Sequence, residues 1–151
     1  MKLDSSDKVL DFAIQKEEEA AEFYRSLAAK MARKPMQEVF AGFAKEEMGH
    51  KAKLQAVKDG HKLSLSAKSI TDLKLGDFLV EPQKTRSDLT YQEALIIAMK
   101  AEKAAYALYN NLAGAADKPD LKELFLMLAQ EEAKHKLRFE IEYDEVVLVE
   151  N

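Results

Sequence analysis

Four segments of the chain carry apolar side chains at the three- and four-residue spacing of an amphipathic helix. They span about 6–32, 35–59, 90–114 and 119–143. Asp4, Ser5 or Ser6 can cap the first helix. A capping box at Thr90 opens the third, and Gly60 suits the end of the second. The pattern therefore predicts four long helices and no extended sheet.

The connections between these segments differ greatly in length. Short breaks near 33 and 117 join the helices into two hairpins, whereas 61–89 separates the hairpins. A plain up-and-down bundle would leave so long a connection unexplained. Two hairpins joined by one crossover are typical of a ferritin-like four-helix bundle, so we expect an all-α single domain over 1–151. A short helical piece is expected at 71–79, and the β-prone tail 146–149 should add no fifth helix.

Composition narrows the class of protein. The 151 residues are 47% hydrophobic and 33% charged, which is typical of a globular chain. A net charge of -4 argues against a nucleic-acid partner. There is no cysteine, and we see neither a signal peptide nor an apolar run of membrane-spanning length. We therefore expect a cytoplasmic protein without a membrane partner.

One triplet of residues occurs twice. Two glutamates 30 residues apart are followed three residues later by a histidine, and the whole triplet recurs at an offset of 85. The first copy is Glu17, Glu47 and His50, and the second is Glu102, Glu132 and His135. Apolar pairs such as Tyr24/Tyr109 repeat at the same offset. The halves therefore look like a duplication, and the six residues are candidate metal ligands.

Hairpin geometry predicts that the four glutamates share one layer of the bundle. The glutamates of each pair are centred on a turn, so each lies about 15 residues, roughly 22 Å, from it. Each falls on an apolar stripe, where an unpaired charge is unfavourable. Two divalent ions would balance four carboxylates, and Glu-x-x-His places both side chains on one helical face. Oxygen-rich ligands with two imidazoles suit iron or manganese. Salt-bridged glutamates without metal are the alternative.

The sequence resembles the rubrerythrin family of the ferritin-like di-iron carboxylate superfamily. The resemblance lies in 17–24 with 46–50, and in 102–109 with 131–135. It implies two iron ions, with a manganese or mixed pair as alternatives. It also implies that Glu47 and Glu132 bridge the ions, that Glu17 and Glu102 bind one ion each, and that His50 and His135 do the same.

The resemblance also suggests supporting roles for four residues. Glu46 could orient His135 and Glu131 could orient His50; surface glutamates are the alternative. Tyr24 and Tyr109 could donate hydrogen bonds to ligand carboxylates, although core aromatics explain their spacing as well. Two departures from the family stand out. Ala105 occupies the position of an extra family glutamate, and the cysteines of a rubredoxin module are missing.

Three functions follow as hypotheses. The first is an oxidoreductase that reduces hydrogen peroxide or dioxygen, with an external electron-donor protein and no catalytic residues beyond the metal ligands. The second is a ferroxidase that stores iron in a bacterioferritin-type shell. The third is a metal-binding module without turnover. A homodimer fits the first hypothesis, whereas a 24-subunit shell fits the second.

Overall fold

A computed structural model describes residues 5–74 and 90–150, with side chains up to residue 145. Its five helices are α1 (Ser6–Lys30), α2 (Lys34–Asp59), α3 (Ala67–Asp72), α4 (Tyr91–Ala115) and α5 (Pro119–Glu150). The described residues contain no strand, so the all-α prediction is confirmed. None of the helices in these two ranges has the length and apolarity needed to cross a membrane.

The helices begin where the sequence signals place them. Ser5 caps α1 by accepting a hydrogen bond from the backbone N–H of Lys8 at 3.2 Å. Thr90 and Glu93 form both hydrogen bonds of a capping box at the start of α4. Helix α2 ends at Gly60 as predicted, whereas α4 continues through Gly114 and ends one residue later. Local capping chemistry thus helps to set where the long helices begin and end.

The two shorter segments differ in part from what the sequence predicted. The helical piece after α2 lies at Ala67–Asp72, where Ser66 caps it, and thus begins earlier than predicted; the predicted part beyond 74, like the rest of the crossover to 89, lies outside the described residues. The tail adds no separate helix, as expected, but it is helical despite its β-prone residues, because α5 continues to Glu150. Extending an existing helix requires no new nucleus, so the weak β-preference of a few valines does not stop it.

Two buried clusters stabilise the bundle. The first, which we call the aliphatic end, joins the start of α1 and the end of α2 to the α4–α5 turn. The second, the aromatic end, joins the α1–α2 turn to the start of α4 and the later part of α5. Each fully buried large apolar side chain contributes about 1.5–3 kcal/mol. The two turns therefore lie at opposite ends of the bundle, so α2 and α4 run in the same direction.

Candidate metal centre

A buried polar layer separates the two ends of the bundle. It contains all six residues of the duplicated triplet, and none is more than 3% exposed. They are Glu17 on α1, Glu47 and His50 on α2, Glu102 on α4, and Glu132 and His135 on α5. By contrast, the side chain of Glu18 is 43% exposed and pairs with Lys51. The apolar stripe of α1 that carries Glu17 therefore faces the interior, whereas Glu18 lies on the solvent side.

The six side chains form two overlapping groups of possible ligands. Glu17, Glu47, His50 and Glu132 make one group, and Glu47, Glu102, Glu132 and His135 make the other. Within each group, one donor atom from every residue lies within 4.8 Å of the others. Both groups contain Glu47 and Glu132, the two residues expected to bridge a pair of ions.

The inner histidine nitrogens point toward these carboxylates. His50 Nδ1 lies 2.9 Å from Glu132 Oε1 and 3.4 Å from Glu17 Oε2. His135 Nδ1 lies 3.1 Å from Glu47 Oε1 and 3.6 Å from Glu102 Oε1. Each imidazole therefore approaches one shared glutamate, from the opposite hairpin, and one unshared glutamate.

The donor atoms of this layer fit a pair of divalent cations. One buried oxygen or nitrogen of each of the six side chains has no hydrogen-bond partner among residues 5–74 and 90–145, although several of these atoms lie close together. Buried polar atoms are normally satisfied, so six such atoms in one layer require an explanation. Four carboxylates and two neutral imidazoles provide oxygen and nitrogen ligands for iron or manganese, and two divalent ions would neutralise them.

Mutual repulsion and burial raise the proton affinity of the layer. Burial raises the pKa of Glu47 well above its usual value, and the charges of Glu17 and Glu102 raise it further. Burial and the charge of Glu102 do the same to the pKa of Glu132. Without cations the layer therefore retains protons, because full ionisation would place four negative charges in a space that excludes water.

The pKa values of the two histidines are raised as well, although burial acts on them in the opposite direction. Burial alone would lower the pKa of His50, but the neighbouring carboxylates of Glu132 and Glu17 outweigh it and raise the pKa to about 10. Burial would also lower the pKa of His135, but the carboxylates of Glu102 and Glu46 outweigh burial, so this pKa is raised as well. Both rings thus favour a positive charge, bound as a proton in the absence of a metal ion.

The outer histidine nitrogens contact glutamates of the opposite hairpin. His50 Nε2 pairs with Glu131, and His135 Nε2 pairs with Glu46. These are the residues named from the sequence for this role. A carboxylate on the outer nitrogen holds the ring with its inner nitrogen facing the layer. The contact also favours the tautomer whose Nδ1 lone pair is free for a metal ion.

Two tyrosines hold the unshared glutamates in place. The hydroxyl of Tyr24 donates a hydrogen bond to Glu102, and the hydroxyl of Tyr109 donates one to Glu17. Both tyrosines are 1% exposed. Burial, followed by the charges of nearby glutamates, raises the pKa of each phenol well above its usual value. Both phenols therefore remain protonated hydrogen-bond donors at neutral pH.

The ring of Phe43 contacts a histidine of the layer, which the helical periodicity of the sequence did not indicate. The Phe43 ring stacks on His135, with centroids 4.2 Å apart and planes at 30°. Phe43 also meets Phe139 edge-on at 5.3 Å. A comparison of the two halves at the 85-residue offset would have singled out this position, because Phe43 is replaced by Leu128 in the second half.

Comparisons with known proteins agree with this architecture. The Rubrerythrin family model matches residues 8–143. A crystal structure from Thermotoga maritima, called a ferritin-like diiron-carboxylate protein, superposes with a TM-score of 0.73 and 22% sequence identity. The match covers 97% of each chain, so the ferritin-like fold is confirmed. No curated protein matches the sequence.

Proposed function

The chain belongs to the rubrerythrin family, and from that premise we propose that it is a di-iron oxidoreductase. The proposed substrate is hydrogen peroxide or dioxygen, and the proposed source of electrons is an external donor protein. One observation carries the proposal: six buried donors form two groups that share Glu47 and Glu132. A fold that serves only packing has no reason to bury four acids together.

The six residues divide naturally between two ions. Glu47 and Glu132 would bind both, Glu17 and His50 would complete one half-site, and Glu102 and His135 the other. When bound, a ferrous pair supplies two electrons and the Lewis acidity that cleavage of an O–O bond requires. Hydrogen peroxide would accept these two electrons with two protons and leave as two water molecules. Dioxygen would need four electrons and four protons to become water, so the external donor would have to supply the second pair of electrons.

The surrounding residues prepare the layer for this chemistry. Apolar clusters above and below it exclude water, which strengthens every electrostatic interaction inside. Tyr24 and Tyr109 keep one oxygen of each unshared glutamate occupied and hold their protons on the phenol oxygens. Glu46 is 58% exposed at its side chain yet contacts His135, so it connects bulk solvent to the buried layer.

Metal analysis of variants tests the binding part of the proposal. Glu47→Ala and Glu132→Ala should each lower the iron content of anaerobically loaded protein from about two ions per chain to one or none. Glu18→Ala is the matched control, because Glu18 lies on the same bundle but points to solvent. Equal loss of iron in all three variants would contradict the assignment of these ligands.

Stopped-flow mixing tests the reaction. Ferrous protein mixed with one equivalent of hydrogen peroxide should develop ferric absorbance within seconds, and a reducing donor should restore the starting spectrum. A loaded protein that gives no absorbance change would instead be a metal-binding module without turnover. Continued oxidation of many added ferrous ions, together with a 24-subunit shell on size-exclusion chromatography, would indicate iron storage.

A further inference from the structure

The duplication makes the two half-sites alike in ligands but not in their surroundings. We call the half-site of Glu102 and His135 the aromatic half, and the half-site of Glu17 and His50 the aliphatic half. Three positions beside the layer carry Phe at the aromatic end and Leu at the aliphatic end. The equivalent pairs, 85 residues apart, are Phe23/Leu108, Phe43/Leu128 and Phe139/Leu54.

The aromatic side chains form one connected group against His135. Phe43 stacks on the imidazole at 4.2 Å and contacts Tyr24 and Phe139 at 6.2 and 5.3 Å. Tyr24 in turn donates to Glu102, the other ligand of this half. One aromatic group therefore touches both the imidazole and the phenol that hold the aromatic half in position.

His50 has no equivalent support among the described residues. Its ring contact in this part of the chain is with His135, at 6.4 Å between centroids. The position equivalent to Phe43 is the fully buried Leu128, which has no π face. A flat ring restricts rotation of a stacked imidazole and also favours positive charge on it, as metal binding produces.

The carboxylates on the outer histidine nitrogens favour the aliphatic half instead. Glu46, the partner of His135, is 58% exposed at its side chain, whereas Glu131, the partner of His50, is 35% exposed. The more exposed carboxylate is screened better by solvent and orients its histidine less firmly. Both carboxylates nevertheless touch their imidazoles, so this difference is one of degree. The ring stack, by contrast, is present at His135, and no aromatic side chain of the described ranges stacks on His50 in the same way.

We propose that Phe43 makes the two half-sites unequal, so that the aromatic half binds a divalent cation before the aliphatic half does. This inference rests on the proposed function, because it concerns the order in which the same six residues are filled. Phe43 is here a positioning residue, since it acts through His135. A ring stack of this kind favours the aromatic half by about threefold to tenfold in affinity.

The order of filling can be observed at the histidines themselves. The chain contains only three, and the third, His61, is exposed and serves as an internal reference. Protein labelled with ¹⁵N-histidine is titrated with zinc, a diamagnetic probe, and the imidazole signals are followed by NMR. Below one equivalent of zinc, the signals of His135 should shift before those of His50.

Exchange of the two equivalent residues provides the decisive variant. Phe43→Leu combined with Leu128→Phe keeps the composition of the core and should reverse the order, so that His50 shifts first. Phe43→Leu alone, which alters less of the packing, should bring the two histidines to nearly simultaneous shifts. Phe12→Leu is the matched control, because Phe12 is buried at the far end and should leave the order unchanged.

The possible outcomes separate this inference from the proposed function. Simultaneous shifts of both histidines in the unaltered protein, or an earlier shift of His50, would overturn the inference and leave the metal site intact. An order that survives the Phe43/Leu128 exchange would overturn the assignment to Phe43. If zinc shifts neither buried histidine, the metal site itself is wrong and the inference fails with it.

Discussion

The hydroxyl of Tyr24 on α1 donates a hydrogen bond to the carboxylate of Glu102 on α4. The same pairing recurs between Tyr109 on α4 and Glu17 on α1, so α1 and α4 are joined twice through the buried layer. Each bond satisfies one carboxylate oxygen, and the second oxygen of each carboxylate is buried without a hydrogen-bond partner among the described residues. The two tyrosines therefore connect the hairpins as well as orient the unshared glutamates.

Tyr24→Phe should lower the free energy of unfolding of the metal-free protein by about 1–3 kcal/mol, because it leaves a buried carboxylate oxygen without a donor. Urea denaturation followed by circular dichroism measures the loss. Tyr143→Phe is the matched control: the Tyr143 hydroxyl accepts a hydrogen bond from Gln92 Nε2 at 3.2 Å in a partly buried position. Its loss should be smaller, and an equal loss would contradict the importance assigned to the buried pair.

Glu47→Gln should have opposite effects on stability and on metal binding. The amide replaces a carboxyl group whose pKa is raised by burial and by the charges of Glu17 and Glu102. The free energy of unfolding of the metal-free protein should therefore rise by about 0.5–2 kcal/mol at pH 8. The same change removes a shared ligand and should lower the metal content. Thermal melts with and without metal test both effects, and Glu18→Gln should change neither. A metal-free variant less stable than the parent would contradict the repulsion argument.

The stability of the metal-free protein should fall as pH rises. The folded protein binds protons more tightly than the unfolded chain at Glu47, Glu132 and His50, because all three pKa values are raised. Their stabilisation is complete at low pH. The glutamate part begins to be lost above the usual value of 4.5, and the His50 part between 6.5 and about 10.

Melting temperatures of the metal-free protein from pH 5.5 to 9 measure this loss. In the metal-loaded protein the cations replace the protons, so the slope should be much smaller or reversed. Equal slopes for the two forms would show that the buried layer does not exchange protons for metal ions.

Glu131→Ala should weaken metal binding by about 10- to 100-fold, because His50 loses the group that orients its ring. Glu46→Ala should have the smaller effect, since Glu46 is the more exposed of the two and water can replace it. Competition with a chelator of known affinity measures both. The matched control is Glu140→Ala on the outer face of α5, where Glu140 pairs with Lys136 at 3.0 Å. A loss of affinity in Glu140→Ala as large as in Glu131→Ala would contradict the role of the histidine contacts.

The amino-acid sequence by itself determined the four long helices and the burial of the six donor residues. Helical periodicity and capping are local, and the equal distances of Glu17 and Glu47 from a turn place both at one height without knowledge of the packing. The exact 85-residue recurrence then predicted that Glu102 and Glu132 would join them.

Only the tertiary structure decided which side chains touch across the hairpins. Sequence spacing does not distinguish a tyrosine that packs in the core from one that donates to Glu102, nor a phenylalanine of the apolar stripe from one stacked on His135. Such contacts depend on how the hairpins rotate against each other, which is set by the packing of the whole core. The tail 146–149 is helical because cooperative extension of the long helix α5 outweighs the local preference of Val146 and Val147 for extended backbone.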